Sequence, residues 1–362
     1  MKKILRLISL SLLLVACSTQ PPASYDFYLG TYTDGSSEGI YSGTLNADGT
    51  FSELKLAAKT ENPSYLCFAH NQNVLLAVSE VDIEGTGTLE AYAIADEGLQ
   101  HVSTSLSGGA HPCHIASNDN GDILMANYTG GNIGYATVDE AARLSELVDV
   151  AQHQGKSITQ RQTAPHAHSA WFLSEKEAVA VDLGIDQLIF YNLSNEAKLQ
   201  KEASLSLEAG AGPRHLAFHP LKDVLYVINE LNSSVSVVAK DDDQWHLKQS
   251  LSTLPNGYDG QNFCADIKVS NDGRFLYASN RGHNSLAIYE ISTSGVELKL
   301  IAHQNVKGNW PRNFALTPDN KLVVVANQRS NNLVTFKRNA ENGLLSFLAE
   351  TQLSSPVCVL FK

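Results

Sequence analysis

The stretch from Gly212 to Glu230, GPRHLAFHPLKDVLYVINE, decides the fold. It reads as two short apolar strands around a turn near Pro220 to Asp223, with Arg214 and His215 at one tip and Asn229 and Glu230 at the other. An antiparallel hairpin folded there brings Arg214 back within a residue or two of Asn229 and Glu230, so both polar tips emerge together. Taken alone, such a pair is a surface contact worth about 0 to 1 kcal/mol. It matters because it recurs.

In register with it stand PSYLCFAHNQNVLLAVSE from Pro63, PCHIASNDNGDILMANY from Pro112 and PHAHSAWFLSEKEAVAVDL from Pro165. CADIKVSNDGRFLYASNR from Cys264, PRNFALTPDNKLVVVANQ from Pro311 and the terminal PVCVLFK from Pro356 follow, with starts every 45 to 53 residues. Each full unit is a strand, a turn rich in Asn, Asp, Gly or Pro, and a β-branched return strand. Third and fourth strands such as SLAIYEIS and LKLIAHQ come behind. No segment keeps a helical period. Four-stranded units of this period that cannot bury both faces alone stack around an axis. The seventh start ends the chain with no return strand, and YDFYLGTYT, GIYSGTLN and the strand near Leu54 to Ala58 at the other end supply its partners. The expectation is therefore an all-β, seven-bladed β-propeller of four-stranded antiparallel blades, closed by pairing the N- and C-terminal strands, over residues 26–362. Length alone would suggest more than one domain; the ring makes it one.

In a propeller the first strands line the central channel, so the hairpin tips converge on one mouth. The first-strand tips carry Tyr65, His114, His166 with His168, Arg214 with His215, Asp266, and Arg312 with Asn313. Opposite them stand Glu80, Asn127 with Tyr128, Asp182, Asn229 with Glu230, Asn280 with Arg281, and Asn327 with Gln328. Asn suits tight turns because it tolerates the left-handed region. That does not account for three histidine blades, several Arg and a Glu around one opening, which is the pattern of a polar binding pocket.

The chain opens MKKILRLISLSLLLVAC: basic residues, an apolar run from Leu7 to Ala16, then small residues before Cys17. The run is shorter than the roughly 20 residues that span a bilayer, so residues 1–16 read as an export signal. Leu14 to Cys17 resembles a bacterial lipobox, which implies cleavage before Cys17 and lipid added to the new N-terminus at Cys17. Residues 17–25 are then a Ser/Pro-rich tether. Ser18 implies, by resemblance to bacterial lipoproteins, sorting to the outer membrane, facing the periplasm. The remaining chain is ample for a large core, with 43% hydrophobic and 18% charged residues overall and a formal net charge of −12. Such a balance argues against nucleic acid, and an anionic ligand must be met by local cations. Cys67, Cys113, Cys264 and Cys358 fall on inner strands of different blades, farther apart than the roughly 7 Å that a disulfide bridges, so four buried thiols are expected. GTGT at Gly85 and TGG at Thr129 are turns, because no helix follows them.

The combination HPCHIA with ANYTGGN, PHAHS with DLG, GPRHLAFHP with YVINEL, DGRFLYASNRGHNSLAIY, and WPRNFAL with VVANQRSNN resembles the lactonase-family seven-bladed propellers. That family includes bacterial 6-phosphogluconolactonases and carboxymuconate cyclases. The resemblance implies an active cleft containing a histidine of PHAHS, Arg214, Glu230 and Arg281. Lactone opening needs water attack on an acyl carbon, a base near neutral pKa and cationic groups for the oxyanion. His166 and His168 both suit the base; His168 aligns if the blade carries a one- or two-residue insertion, His166 if it does not. Glu230 either orients that histidine or is the base itself, should burial raise its pKa. Arg214 and Arg281 would hold a phosphate or carboxylate. His114, His215, Asn280, Arg312 and Asn127 are the expected substrate contacts, with Arg329 at the cleft or its rim. The His166-Ala-His168 spacing can hold a metal, but no third ligand cluster is evident; neither metal nor cofactor is expected. The expected partner is a small, anionic lactone, and the expected state a monomer. Two other classes compete: an envelope-tethered binding or scaffold propeller, and a carboxymuconate-type cycloisomerase. A scaffold would tolerate loss of Glu230 and Arg281; either enzyme would not.

Overall fold

The structure, a computed structural model, describes residues 24–96, 98–193 and 198–362. Cys17 and the export signal, residues 1–16, lie outside the described residues, as does most of the expected tether; the first strand, Ser24–Thr31, begins two residues inside it. Seven four-stranded antiparallel sheets make up the fold, and no helix occurs among the described residues. In chain order, blade one covers 66–106, blade two 112–152, blade three 167–206, blade four 213–252, blade five 263–305 and blade six 311–352. Blade seven joins Pro356–Phe361 to Ser24–Thr31, Gly39–Asn46 and Lys55–Lys59. Its closing register pairs Phe27 with Phe361 and Leu29 with Val359, so neither terminal strand is left as an open edge.

Alternation along a strand explains why the blades stack. In Val224–Asn229, Leu225 and Val227 pack with Val179, Val181 and Phe190 of blade three, while Tyr226 and Ile228 pack with Ile267, Leu276 and Ala278 of blade five. A strand covered on both sides must be apolar at every position, which is why the return strands read as unbroken hydrophobic runs. Blade seven does the same work at the seam. Phe27, Leu29 and Leu45 meet Leu322, Val324 and Leu333 of blade six, and Tyr28 and Ile40 meet Leu75, Ala77 and Tyr92 of blade one.

The innermost strands surround the channel, where rings from three blades meet: Tyr65 lies 4.3 Å from His114 and 5.6 Å from His215. Most of these strands carry an irregularity next to the mouth. Pro112 pairs with Asn127 and His114 with Ala126, leaving Cys113 unpaired. Blades three, four and six repeat this around His168, Arg214 and Arg312, and blade five skips both Ala265 and Asp266. Such a β-bulge turns one side chain away from the alternating pattern. The four thiols are free, with Cys67 half-buried and the other three buried.

Candidate active site

The bulges and the return-strand ends build one cavity at the channel mouth. Its volume is 360 Å³. The bulged residues Cys113, His168 and Arg312 line it, joined by Glu80, Tyr128, Glu230 and Arg281 from return strands. Tyr32, Phe263 and Trp310 supply aromatic wall, and Arg161 and Arg329 sit at its edge. With Arg214 directly behind Glu230, five guanidinium groups face two carboxylates in a chain whose overall charge is −12.

Glu230 is the hub. One carboxylate oxygen, Oε2, accepts from Arg214 Nε at 3.1 Å and Arg281 Nη2 at 2.7 Å; the other, Oε1, accepts from Arg161 Nη1 at 3.0 Å. Burial by itself would raise its pKa, but Arg281, Arg214 and Arg161 outweigh that and hold it at about 2. Glu230 is therefore a permanent carboxylate at neutral pH, and its side-chain partners are arginines rather than a histidine. Arg214 does not reach into the cavity: its Nη1 donates to the Ala265 carbonyl at 2.6 Å and to His215 Nε2 at 3.4 Å. Arg281 also anchors itself to the Phe263 and Cys264 carbonyls. Arg312 donates to Tyr32 Oη at 2.6 Å, and Tyr32 in turn donates to Glu80 at 2.8 Å. Arg329 lies over the Trp310 ring, 3.4 Å from its centroid, and its guanidinium has no hydrogen-bond partner among the described residues.

His168 and His166 are separated by the bulge. Ala167 takes the place that Pro213 has in blade four, so the blade is displaced by two residues relative to its Pro165 and His168 is the counterpart of Arg214. Its pKa is lowered well below the usual value by burial, then by Arg214, His215 and Arg312, which keeps the imidazole neutral. Nδ1 lies 3.6 Å from Cys113 Sγ. Burial pushes the Cys113 thiol up, so it stays protonated. His166 stands outside the cavity wall, stacked on Tyr128 with its Nδ1 donating to the Tyr128 carbonyl at 3.0 Å.

Other expected substrate contacts lie elsewhere. His114 and His215 occupy the next layer down the channel. Because Nε2 of His215 receives the Arg214 proton, its Nδ1 donates to Asp266 at 3.1 Å. His114 is buried with Nε2 unpartnered. Asn127 and Asn280 do not line the cavity. Their amides donate to the Ser107 and Thr253 carbonyls, both at 2.9 Å, tying the return strand of one blade to the chain leaving the previous one. Asn327 does this to Val306 at 3.2 Å, which is why Asn recurs at these tips. Among the described residues no group of three or more His, Cys, Asp or Glu is placed to hold a metal ion.

Sequence reasoning missed Arg161, Tyr32, Phe263, Trp310 and the orientation of Cys113. Arg161 lies outside the aligned hairpins, where the repeat carries no information; Tyr32 stands in YDFYLGTYT, just past the Thr31–Pro356 pair, at the tip position that Tyr128 and Glu230 hold in their blades; Trp310 stands one residue ahead of the repeat that starts at Pro311.

The family model described as Lactonase, 7-bladed beta-propeller matches residues 26–361. The chain is 39% identical over 345 residues to a 6-phosphogluconolactonase of Bacillus subtilis, covering 93% of this chain and 98% of the relative. A 6-phosphogluconolactonase of Formosa agariphila is 32% identical, with 89% and 95% covered. The solved structure of the periplasmic gluconolactonase PpgL of Pseudomonas aeruginosa superposes with a TM-score of 0.88 at 31% identity, covering 93% of this chain and 99% of that one. Blade count, ring closure and similarity over nearly the whole length agree: the chain belongs to the lactonase family of seven-bladed β-propellers.

Proposed function

We propose that the protein is a lactonase that hydrolyses a sugar-type lactone bearing an anionic group, in the cavity around Glu230. The observation that carries this reading is the grouping, in one 360 Å³ cavity, of a neutral histidine with an arginine-clamped carboxylate and cations in excess. Lactonase relatives of similar length support it.

In this mechanism His168 is the base. The Cys113 thiol is 3.4 Å from the His168 carbonyl. With the thiol proton directed there, Nδ1–H rests on the sulfur and Nε2 keeps its lone pair. Water loses a proton to Nε2 as its oxygen attacks the acyl carbon, and the carbonyl electron pair moves onto the oxygen. Guanidinium donors of Arg281 and Arg312, whose side chains are largely buried, stabilise that oxyanion. Collapse expels the ring oxygen, which takes the proton from His168, and the product is the open hydroxy acid. Glu230 holds Arg281 and Arg214 in place, and Arg329 attracts the anionic substituent. The field that lowers the His168 pKa is partly neutralised when an anion enters, so the base strengthens once substrate is bound.

The opening sequence, with its basic start, apolar run and Leu-Val-Ala-Cys ending, supports an exported lipoprotein carrying lipid on Cys17 and facing the periplasm. The similar Pseudomonas aeruginosa enzyme is periplasmic. An enzyme outside the cytoplasm meets lactones formed or imported there, which favours a class of oxidised sugars over one fixed metabolite. The test is titration of the acid released from lactones by wild type and His168→Gln. The reading requires opening well above the spontaneous rate, lost in the variant; a rate equal to buffer would overturn it.

A further inference from the structure

The connection 153–166 between blades two and three is the longest of the connections between blades and delivers Arg161 over the cavity. Its guanidinium donates to Glu230 Oε1 at 3.0 Å and to Tyr128 Oη at 2.8 Å. The other two arginines on Glu230 have side chains 2% and 5% exposed, whereas that of Arg161 is 46% exposed. Two of its five N–H groups are occupied, leaving the rest for a ligand.

An exposed arginine on a long connection would ordinarily be loosely placed. This one is fixed through its neighbour. Gln162, fully buried, donates to the Leu183 carbonyl at 2.8 Å and to Asp186 Oδ1 at 2.7 Å. Ser157 donates to Asp186 Oδ2. The same carboxylate accepts from the backbone of Gly210 and Gly212, both at 2.7 Å, in the segment that leads into Arg214. Asp186 is 3% exposed, and among the described residues its carboxylate is met by four donors and no cation. One buried carboxylate thus sets the position of two of the three arginines on Glu230.

Resting on the lactonase reading, we infer that Arg161 is a specificity-determining residue that contacts the anionic substituent of the lactone, and that Asp186 is its positioning residue. Arg161 sits at the cavity's edge and is far more exposed than Arg281 on the carboxylate they share, so its contribution falls on which lactone is bound rather than on how the ring opens. An anion there meets Arg161 Nε, and Arg329, the other arginine at the cavity's edge, adds to the positive field. A neutral lactone of the same shape gains nothing from either.

The test compares kcat/KM for 6-phosphogluconolactone and gluconolactone in wild type, Arg161→Ala, Arg161→Lys and Asp186→Asn. Loss of one charge-assisted contact lowers the ratio of phosphorylated to unphosphorylated lactone by about 10- to 100-fold in Arg161→Ala, through KM. Lys keeps the charge without the fork and recovers part of the ratio. Asp186→Asn presents an NH2 to donors that needed an acceptor, so it shifts the ratio in the same direction and adds less than its own effect when combined with Arg161→Ala. An unchanged ratio in Arg161→Ala, or equal losses on both lactones, overturns the inference. Should wild type open neither lactone, calorimetric titration with 6-phosphogluconate decides this inference separately from the lactonase reading. Weaker binding to Arg161→Ala than to wild type supports it, and equal binding refutes it.

Discussion

Replacing Glu230 by Gln removes a charge while nearly keeping its shape, and the surroundings set the cost. Arg214 and Arg281 are left with side chains only 2% and 5% exposed and no carboxylate to face. Breaking a buried ion pair from one side costs about 3 to 5 kcal/mol. An independent route gives a similar size: a carboxyl held at about 2 against an ordinary 4.5 contributes roughly 3 kcal/mol to folding at neutral pH. Because the folded-state pKa is depressed, that contribution is complete above the unfolded value of 4.5 and disappears as pH falls toward 2. Urea unfolding at pH 7 should therefore show a lower midpoint for Glu230→Gln with an unchanged slope, equivalent to about 3 kcal/mol. The gap should narrow as the titration is repeated from pH 4.5 downward. A difference below about 1 kcal/mol, the size of an exposed ion pair, would refute the reasoning. So would a gap that does not change with pH.

Three further outcomes follow from other parts of the molecule. His168 is kept neutral by burial and nearby arginines, so kcat/KM should stay flat from neutral pH down past 6.5, with its acid limb well below that value; a limb at or above 6.5 would exclude His168 as base. Leu29 is fully buried at the closing seam beside Val324 and Val359, so Leu29→Ala should cost about 2 to 5 kcal/mol in the same urea assay. In cells, Cys17→Ser should lack lipid by mass spectrometry and leave the membrane fraction, and an unaltered membrane association would remove the lipoprotein reading.

The ring was legible because each blade repeats one hairpin and because a strand sandwiched between two blades has to be apolar at every position, as in Val224–Asn229. The convergence of tips was legible for the same reason, and it led to Glu230, Arg281 and Arg312. A bulge is harder to see. It shifts register by one residue without altering composition, so nothing in PHAHS separates His166 from His168, and nothing in GPRH shows that Arg214 turns behind Glu230 instead of into the cavity. The recurring asparagines misled because a tip position is shared by pocket contacts and by the joints between blades; Asn127 and Asn280 belong to the joints. Arg161 was invisible for a different reason. Its place depends on a buried carboxylate, Asp186, that gathers donors from two connections far apart in the chain, and no local pattern records that.

The most direct test of the central claim is pH-stat titration of 6-phosphogluconolactone, gluconolactone and a carboxylated lactone by the purified full-length chain, beside Glu230→Gln and Arg281→Ala. The account predicts that wild type opens an anionic lactone far faster than buffer and that both variants lose this activity. Hydrolysis no faster than in buffer for all three, or activity that survives both substitutions, would contradict it.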